Sequence, residues 1–239
     1  LDIQLGSRVT SAKSSDGKVT VNYDNSDGGQ SIEVDKLIVA VGRKPFSDNL
    51  LADDAGVELD ERGFIVVDDE CRTGVKNVFA VGDCVRGLML AHKGSEEGIM
   101  AADLIAGEVA EVNYSTIPSV IYTTPEIAWA GKTEAEARAD GRAIKTGSFP
   151  FAASGRAKAM EQADGMVKII SADDDDEVLG VHIVGPMAGE LISEAVLAME
   201  FHASTEDIQR TIHAHPSLAE AIHEASLAVD NKALNFPNR

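Results

Sequence analysis

Two short apolar runs, each ending in glycine, constrain the fold of this chain more than any other feature. Residues 37–41 (LIVAV) run into Gly42, and residues 78–81 (VFAV) run into Gly82 and Asp83. A short apolar run without polar alternation is typical of a strand buried on both faces, as in the parallel sheets of α/β proteins. The two runs therefore predict α/β structure in the first half of the chain.

The surrounding segments of this half predict further strands and one helix. Apolar and polar side chains alternate through much of residues 1–45, which predicts β-structure with a turn at 24–29. The other predicted elements are a strand at 64–67 and a helix over about 93–106 that Gly107 caps at its C-terminus.

The second half of the chain, residues 116–239, predicts a separate α+β domain with an antiparallel sheet. Short alternating runs and helical spacings follow one another without repeats or a low-complexity linker. The predicted elements are strands at 117–122, 127–130, 166–170 and 178–184 and helices at 133–139, 191–199 and 218–229. Four aspartates at 173–176 are interpreted as a solvated tip of the hairpin between the last two strands.

Composition excludes several classes of function. The chain carries 40 acidic and 21 basic residues, a net charge of −19, so it offers no means of neutralising nucleic-acid phosphates. No apolar run reaches the ~20 residues of a membrane span. Two cysteines thirteen positions apart, Cys71 and Cys84, form no CxxC or CxxxxC pair, which favours a reducing, intracellular compartment.

The two glycine-terminated runs are candidate ligand-binding edges. Ligands of open α/β sheets bind beyond the carboxyl ends of the strands, where Asp83 would accept hydrogen bonds from sugar hydroxyls. The alternative is that Asp83 only caps a turn. Gly42 would allow a dinucleotide to approach the backbone, although on spacing alone a plain exit from the strand is the favoured interpretation.

Met89, Leu90, Ala91 and His92 stand where the predicted helix opens. Helix N-termini carry unpaired N–H groups and partial positive charge, which would stabilise negative charge developing on a bound cofactor. The alternative is an ordinary acidic first turn, with His92 as a surface residue.

The segment HAHPSLAE, residues 213–220, has the composition of a positioned general base. Imidazole is the side chain best suited to proton transfer at neutral pH, and the carboxylate of Glu220 would fix the tautomer of His215. Ser217 and Glu220 also match a capping box, so a structural role for Glu220 stays open. His213 and His223 have no comparable partner in the sequence and are predicted to be structural or exposed.

In combination and order, these motifs resemble the dihydrolipoamide dehydrogenases, the flavoproteins of the 2-oxoacid dehydrogenase complexes. The resemblance runs from about residue 37 to the C-terminus, and residues 90–93 with 213–216 favour this family over the glutathione reductases. Ser217 stands where the family usually has threonine. The matching segments are 40–46, 78–83, 89–93, 118–123, 149–153 and 213–220.

The resemblance implies a role for each candidate residue. Asp83 would bind the ribitol of FAD, Gly42 would contact NAD, and His215 would be the acid/base held by Glu220. Met89, Leu90, Ala91 and His92 would lie along the flavin ring. Three regions would follow: the end of an NAD-binding domain (1–46), a segment of an FAD-binding domain (47–115) and a dimerisation domain (116–239).

In that family the histidine serves the neighbouring subunit, so the resemblance implies a homodimer. It also implies contacts with a lipoyl domain and an acyltransferase subunit, in the bacterial cytoplasm or the mitochondrial matrix. The sequence contains neither a GxGxxG fingerprint nor the redox CxxxxC pair. We therefore expect a part of a longer enzyme, inactive alone. The alternatives are a related flavin disulfide reductase and a non-catalytic dimerisation or docking module.

Overall fold

The computed structural model describes residues 1–52 and 54–238. Asp53 and Arg239, which fall inside the predicted ranges 47–115 and 116–239, lie outside the described residues. The chain begins with a three-stranded antiparallel sheet in the order β1-β2-β3. Its strands are β1 (Arg8–Ser15), β2 (Lys18–Asn25) and β3 (Gly28–Val34), joined by tight turns. The β-structure predicted for this region is confirmed up to residue 34.

The strand predicted at residues 37–41 is wrong. The segment is irregular, with Ile38 86% and Val41 93% exposed. A strand buried on both faces needs hydrogen-bonded neighbours and cover on each side, and no strand among residues 1–52 and 54–238 pairs with it.

The strands predicted at 64–67 and 78–81 are also wrong, because each is reduced to a single bridge. Ile65 pairs with Leu59, and Phe79 pairs with Arg72. The glycine at the end of the second run opens a short 3₁₀ turn, Gly82–Cys84.

The helix predicted in the first half is confirmed as α1 (Ala91–Ala106), which begins two residues early. Gly107 is its C-cap, with φ of 89° and its N–H bonded to the carbonyls of Asp103 and Leu104. A positive φ at this position is what favours glycine there. No helix in the described part of the chain is long and apolar enough to cross a membrane.

The second half is built on a five-stranded antiparallel sheet in the order β4-β5-β8-β7-β6. The strands are β4 (Ser119–Ile121), β5 (Glu126–Gly131), β6 (Ile144–Pro150), β7 (Met166–Ala172) and β8 (Val178–Gly185). Four match predictions, whereas β6 was not predicted. Its Gly147 lies against the last helix, where an added Cβ would come 2.2 Å from the carbonyl oxygen of Ala225.

Five helices accompany this sheet. They are α2 (Glu134–Ala139), α3 (Gly155–Ala159), α4 (Ala188–Glu200), α5 (Thr205–Arg210) and α6 (Glu220–Val229). Helix α4 packs on β5 and β8, and α6 packs on β6 and β7. Their shared core contains Val181, Ile183, Ile192 and Ile222, each at most 1% exposed, which fixes where α6 begins relative to the sheet.

The acidic hairpin tip is held by ion pairs and hydrogen bonds rather than simply solvated. The Arg142 guanidinium donates to the carboxylates of Asp174, Asp175 and Glu177. Asp176 accepts a 2.7 Å hydrogen bond from the Thr205 hydroxyl. The interpretation of a plain solvated loop is therefore incomplete.

Candidate functional site

His215 and Glu220 form a hydrogen-bonded pair at the start of α6. The His215 Nδ1 atom lies 2.8 Å from Glu220 Oε1. The imidazole is 79% exposed and the carboxylate 29%. Because the carboxylate occupies Nδ1, a neutral ring carries its proton there and keeps Nε2 free as a base.

The capping box proposed for Glu220 is half formed. Glu220 Oε2 accepts a 2.8 Å hydrogen bond from the Ser217 N–H. The reciprocal bond is absent, because the helix begins at Glu220 itself and the buried Ser217 Oγ has no hydrogen-bond partner among the described residues. The two roles predicted for Glu220 therefore coexist on separate oxygens.

The environment of Glu220 keeps it ionised. Partial burial acts to raise its pKa, but the hydrogen bonds from the Ser217 N–H and the His215 ring lower the pKa below the ordinary value of 4.5. A carboxylate that stays charged stabilises the imidazolium formed when His215 takes up a proton.

His213 has a carboxylate partner that the sequence did not reveal, and its surroundings agree with the predicted structural role. Its Nε2 atom lies 2.6 Å from Glu194 Oε1 on α4, and its Nδ1 atom lies 2.9 Å from the carbonyl oxygen of Thr211. The side chain is 6% exposed. The ring also stacks on His223, with centroids 5.0 Å apart.

His213 is arranged as a cation. Both ring nitrogens face acceptors, and only an imidazolium donates from both. The hydrogen bond to Glu194 raises the pKa of His213 above 6.5, against the opposing effect of burial. A ring that donates from both nitrogens has no free lone pair, so His213 cannot act as a base in this form.

A second cluster gathers the candidates from the first half of the chain. Asp83 is 52% exposed on the 3₁₀ turn, and Arg43 Nη1 lies 3.1 Å from its Oδ2. The same guanidinium donates to the carbonyl oxygen of Met89. Arg43, which sequence reasoning missed, thus connects the Gly42 segment to Asp83 and to the start of α1.

The N-terminus of α1 is open. Leu90 is its N-cap and gives no side-chain cap, and its first turn carries no acidic residue. The alternative of an acidic first turn is therefore wrong. His92 Nε2 lies 2.8 Å from the carbonyl oxygen of Pro118, which ties the helix to the second half of the chain.

Beneath this cluster lies a buried ion pair that sequence reasoning also missed. The Lys93 Nζ atom is 3.0 Å from Glu97 Oε1, and their side chains are 1% and 0% exposed. A Lys and a Glu four residues apart on the apolar stripe of a helix are the signal that could have found it. No hydrogen bond or ion pair within residues 1–52 and 54–238 joins His215 or Glu220 to this cluster.

The cluster has the chemistry to hold a sugar alcohol and an electron-rich ring. Asp83 keeps a half-exposed carboxylate for hydroxyl groups, and the uncapped helix end offers N–H groups. Gly94 lies so close to Gly82 that an added Cβ would come 2.9 Å from the Gly82 Cα atom. These features fit the ribityl and ring portions of FAD.

Two family models match the chain. Residues 1–98 match "Pyridine nucleotide-disulphide oxidoreductase", and residues 117–226 match "Pyridine nucleotide-disulphide oxidoreductase, dimerisation domain". The segment that holds both imidazole–carboxylate pairs thus lies in the second match, and Asp83 with the start of α1 lies in the first.

Curated relatives are similar over nearly the whole chain. A dihydrolipoyl dehydrogenase of Cupriavidus necator is 52% identical over 99% of this chain and 50% of its own length. The mitochondrial dihydrolipoyl dehydrogenase of Homo sapiens is 48% identical over 98% of this chain and 47% of its own length. The chain spans about half the length of these curated relatives.

Solved structures agree in fold. LpdA from Mycobacterium tuberculosis superposes with a TM-score of 0.85 at 28% identity, over 92% of this chain and 48% of that one. The HOCl-induced flavoprotein disulfide reductase RclA from Escherichia coli gives 0.82 at 26% identity, over 92% and 50%. Together with the family models, these likenesses confirm the predicted fold class, α/β plus α+β.

Proposed function

The chain belongs to the pyridine nucleotide-disulphide oxidoreductase family, and from that membership we propose that the protein to which it belongs is a dihydrolipoyl dehydrogenase. Such an enzyme oxidises dihydrolipoamide with NAD⁺ through a redox disulfide and FAD. The His215–Glu220 pair carries the proposal, because it offers an exposed, oriented base to a dithiol.

His215 would accept the proton of one substrate thiol at Nε2, while Glu220 holds Nδ1–H and stabilises the charge. The thiolate attacks one sulfur of the enzyme disulfide, and the second substrate thiol then displaces the enzyme sulfur from the mixed disulfide. The products are oxidised lipoamide and an enzyme dithiol. The free thiols Cys71 and Cys84 do not supply this disulfide, since Cys71 is buried beside Tyr114.

Asp83 would bind the ribitol hydroxyls of FAD, with Met89, Leu90, Ala91 and His92 along the ring and Gly42 beside NAD. FAD, when bound, supplies two-electron transfer from the dithiol to NAD⁺. Arg43 would have to release or share Asp83 as the hydroxyls arrive, because it occupies Oδ2 in this structure.

We assign residues 1–46 to the NAD-binding domain, 47–115 to the FAD-binding domain and 116–239 to a dimerisation domain. A homodimer is supported by the match to a dimerisation domain and by Ile212, which lies next to the histidine turn and is 97% exposed. His215 would then serve the active site of the partner subunit. A lipoyl domain and an acyltransferase subunit would be its partners in a bacterial cytoplasm or a mitochondrial matrix.

Steady-state rates test the proposal against a related disulfide reductase. We expect the flavin-loaded enzyme to reduce NAD⁺ about a hundredfold faster, or more, with dihydrolipoamide than with glutathione. Equal rates, or a preference for glutathione, would contradict the assignment. A non-catalytic docking role would instead give a colourless protein without either activity.

A further inference from the structure

The buried pair of Lys93 and Glu97 has no part in the proposed chemistry, which raises the question of what it does. Removing two charges from water is costly, so a buried ion pair is a weak source of stability. Both side chains are almost wholly buried, at 1% and 0% exposure. A specific geometric role would explain their presence better than stability.

The pair holds both main-chain polar groups of Gly82. Glu97 Oε2 accepts a 2.7 Å hydrogen bond from the Gly82 N–H. Lys93 Nζ donates a 3.1 Å hydrogen bond to the Gly82 carbonyl oxygen. Gly82 has a φ of +81°, and Gly94 packs against its Cα atom from the helix side. The backbone immediately before Asp83 is therefore fixed by α1.

We infer that Lys93 and Glu97 are positioning residues that aim the Asp83 carboxylate at the ribityl hydroxyls of FAD. The inference rests on the proposed role of Asp83. Asp83 itself is half exposed, and within residues 1–52 and 54–238 its carboxylate is hydrogen-bonded to Arg43 alone. Its direction therefore depends on the backbone that the buried pair holds.

The network leaves no open position for a ligand on Glu97. Its Oε1 atom receives Lys93 and a 2.9 Å hydrogen bond from the Tyr114 hydroxyl, and its Oε2 atom receives Lys93 and Gly82. Burial, followed by the hydrogen bond to Glu97, raises the pKa of Tyr114, so that hydroxyl stays a donor. A fully occupied carboxylate positions its neighbours and does not touch the cofactor.

The test is the affinity of the complete enzyme for FAD in the variant Lys93→Met/Glu97→Gln. These replacements remove both charges at nearly constant volume, which keeps the destabilisation small. We expect the dissociation constant for FAD, from the fluorescence of released flavin, to rise about tenfold or more, by analogy with the outer partners of metal ligands. Turnover at saturating FAD should change by less than about twofold.

The matched control is Arg138→Met/Glu134→Gln on α2. It removes a cation and a carboxylate at the same four-residue spacing, but that pair is 61% and 34% exposed and lies far from Gly82 in the sequence. We expect its FAD affinity to equal that of the unmodified enzyme. If the buried double variant does not fold, Glu97→Gln alone keeps an oxygen for the Gly82 N–H and should shift the affinity in the same direction by less.

A cycle with Asp83→Ala separates the inference from the proposed function. If the pair acts through Asp83, adding Lys93→Met/Glu97→Gln to Asp83→Ala weakens FAD binding no further. Fully additive losses, or a lower melting temperature with unchanged FAD affinity, would overturn the inference alone. Unchanged affinity in Asp83→Ala itself would overturn the cofactor role of Asp83 and the inference with it.

Discussion

Two imidazole–carboxylate pairs have their histidines two residues apart on the same turn. They differ in the exposure of the ring and in how far the carboxylate lies from the histidine in the sequence. His215 is 79% exposed and bonds to Glu220, five positions along the chain. His213 is 6% exposed and bonds to Glu194, nineteen positions back on α4. The exposed ring keeps a nitrogen for chemistry, whereas the buried ring uses both nitrogens to fasten the turn. We propose that one sequence motif contains both the base, His215, and the residue that anchors its turn, His213.

His215→Ala in the flavin-loaded enzyme should cause the greatest loss of activity. Turnover with dihydrolipoamide should fall by ~10²-fold or more, the scale of lost acid–base catalysis. The melting temperature should stay the same, because the side chain is exposed. His202→Ala is the control, since His202 is equally exposed at 77% but lies outside the motif. Near-normal turnover in His215→Ala would end the assignment of this residue as the base.

Glu220→Gln should have the next largest effect. The amide can still accept the Ser217 N–H, but it no longer stabilises an imidazolium on His215. We expect turnover to fall between about 10-fold and 100-fold, less than for His215→Ala. Stopped-flow rates of substrate oxidation measure this loss. A variant that loses only melting temperature would show that Glu220 is a helix cap and nothing more.

His213→Gln tests the anchor. Loss of a hydrogen bond between charged groups should lower the free energy of unfolding by about 2 kcal/mol. Turnover should fall less than in Glu220→Gln, through poorer placement of His215. Urea denaturation gives the stability. His223→Gln is the matched control: it removes the stacked ring and the hydrogen bond that His223 Nε2 makes to the carbonyl oxygen of Gln209, but no bond between charged groups, and should cost less.

The stability that His213 contributes should depend on pH. The pKa of His213 is higher in the folded chain than its ordinary value of 6.5, so folding favours the protonated ring. The stabilisation is complete below about pH 6.5 and disappears as pH rises through the raised folded pKa. The stability difference between the parent and His213→Gln should therefore narrow on going from about pH 6 to about pH 9. A constant difference would contradict an imidazolium at His213.

The sequence predicted those parts of the site that depend on local spacing. His215 and Glu220 belong to one turn, and Met89–His92 directly precede the helix predicted from residue 93. Glu194, and Arg43 beside Asp83, were missed because their partners lie far away in the sequence. Lys93 and Glu97 are close in the sequence, but their burial and their hydrogen bonds to Gly82 become apparent only once α1 is packed.

The fold shows the same division. Hairpin strands such as β7 and β8 find their partners nearby, so alternation was enough to predict them. The run at 37–41 was misjudged because a strand buried on both faces depends on neighbours that its own residues do not specify. Strand β6 was missed because Gly147 and Pro150 weaken a strand pattern, yet Gly147 is needed where α6 approaches the sheet.

Ser217→Ala should change the protein least, and it tests whether the Ser217 hydroxyl caps α6. The Ser217 Oγ atom is buried and finds no hydrogen-bond partner within residues 1–52 and 54–238. The Ser217 backbone N–H, which alanine retains, makes the bond to Glu220. Removing the hydroxyl should change the free energy of unfolding by no more than about 0.5 kcal/mol and leave turnover unchanged. A loss near the ~1 kcal/mol of a true N-cap would mean that the hydroxyl caps α6 in solution. One oxygen of Glu220 would then complete a capping box while the other holds His215. The exposed His215–Glu220 pair would in that case need an intact start of α6, just as the buried His213–Glu194 pair needs α4.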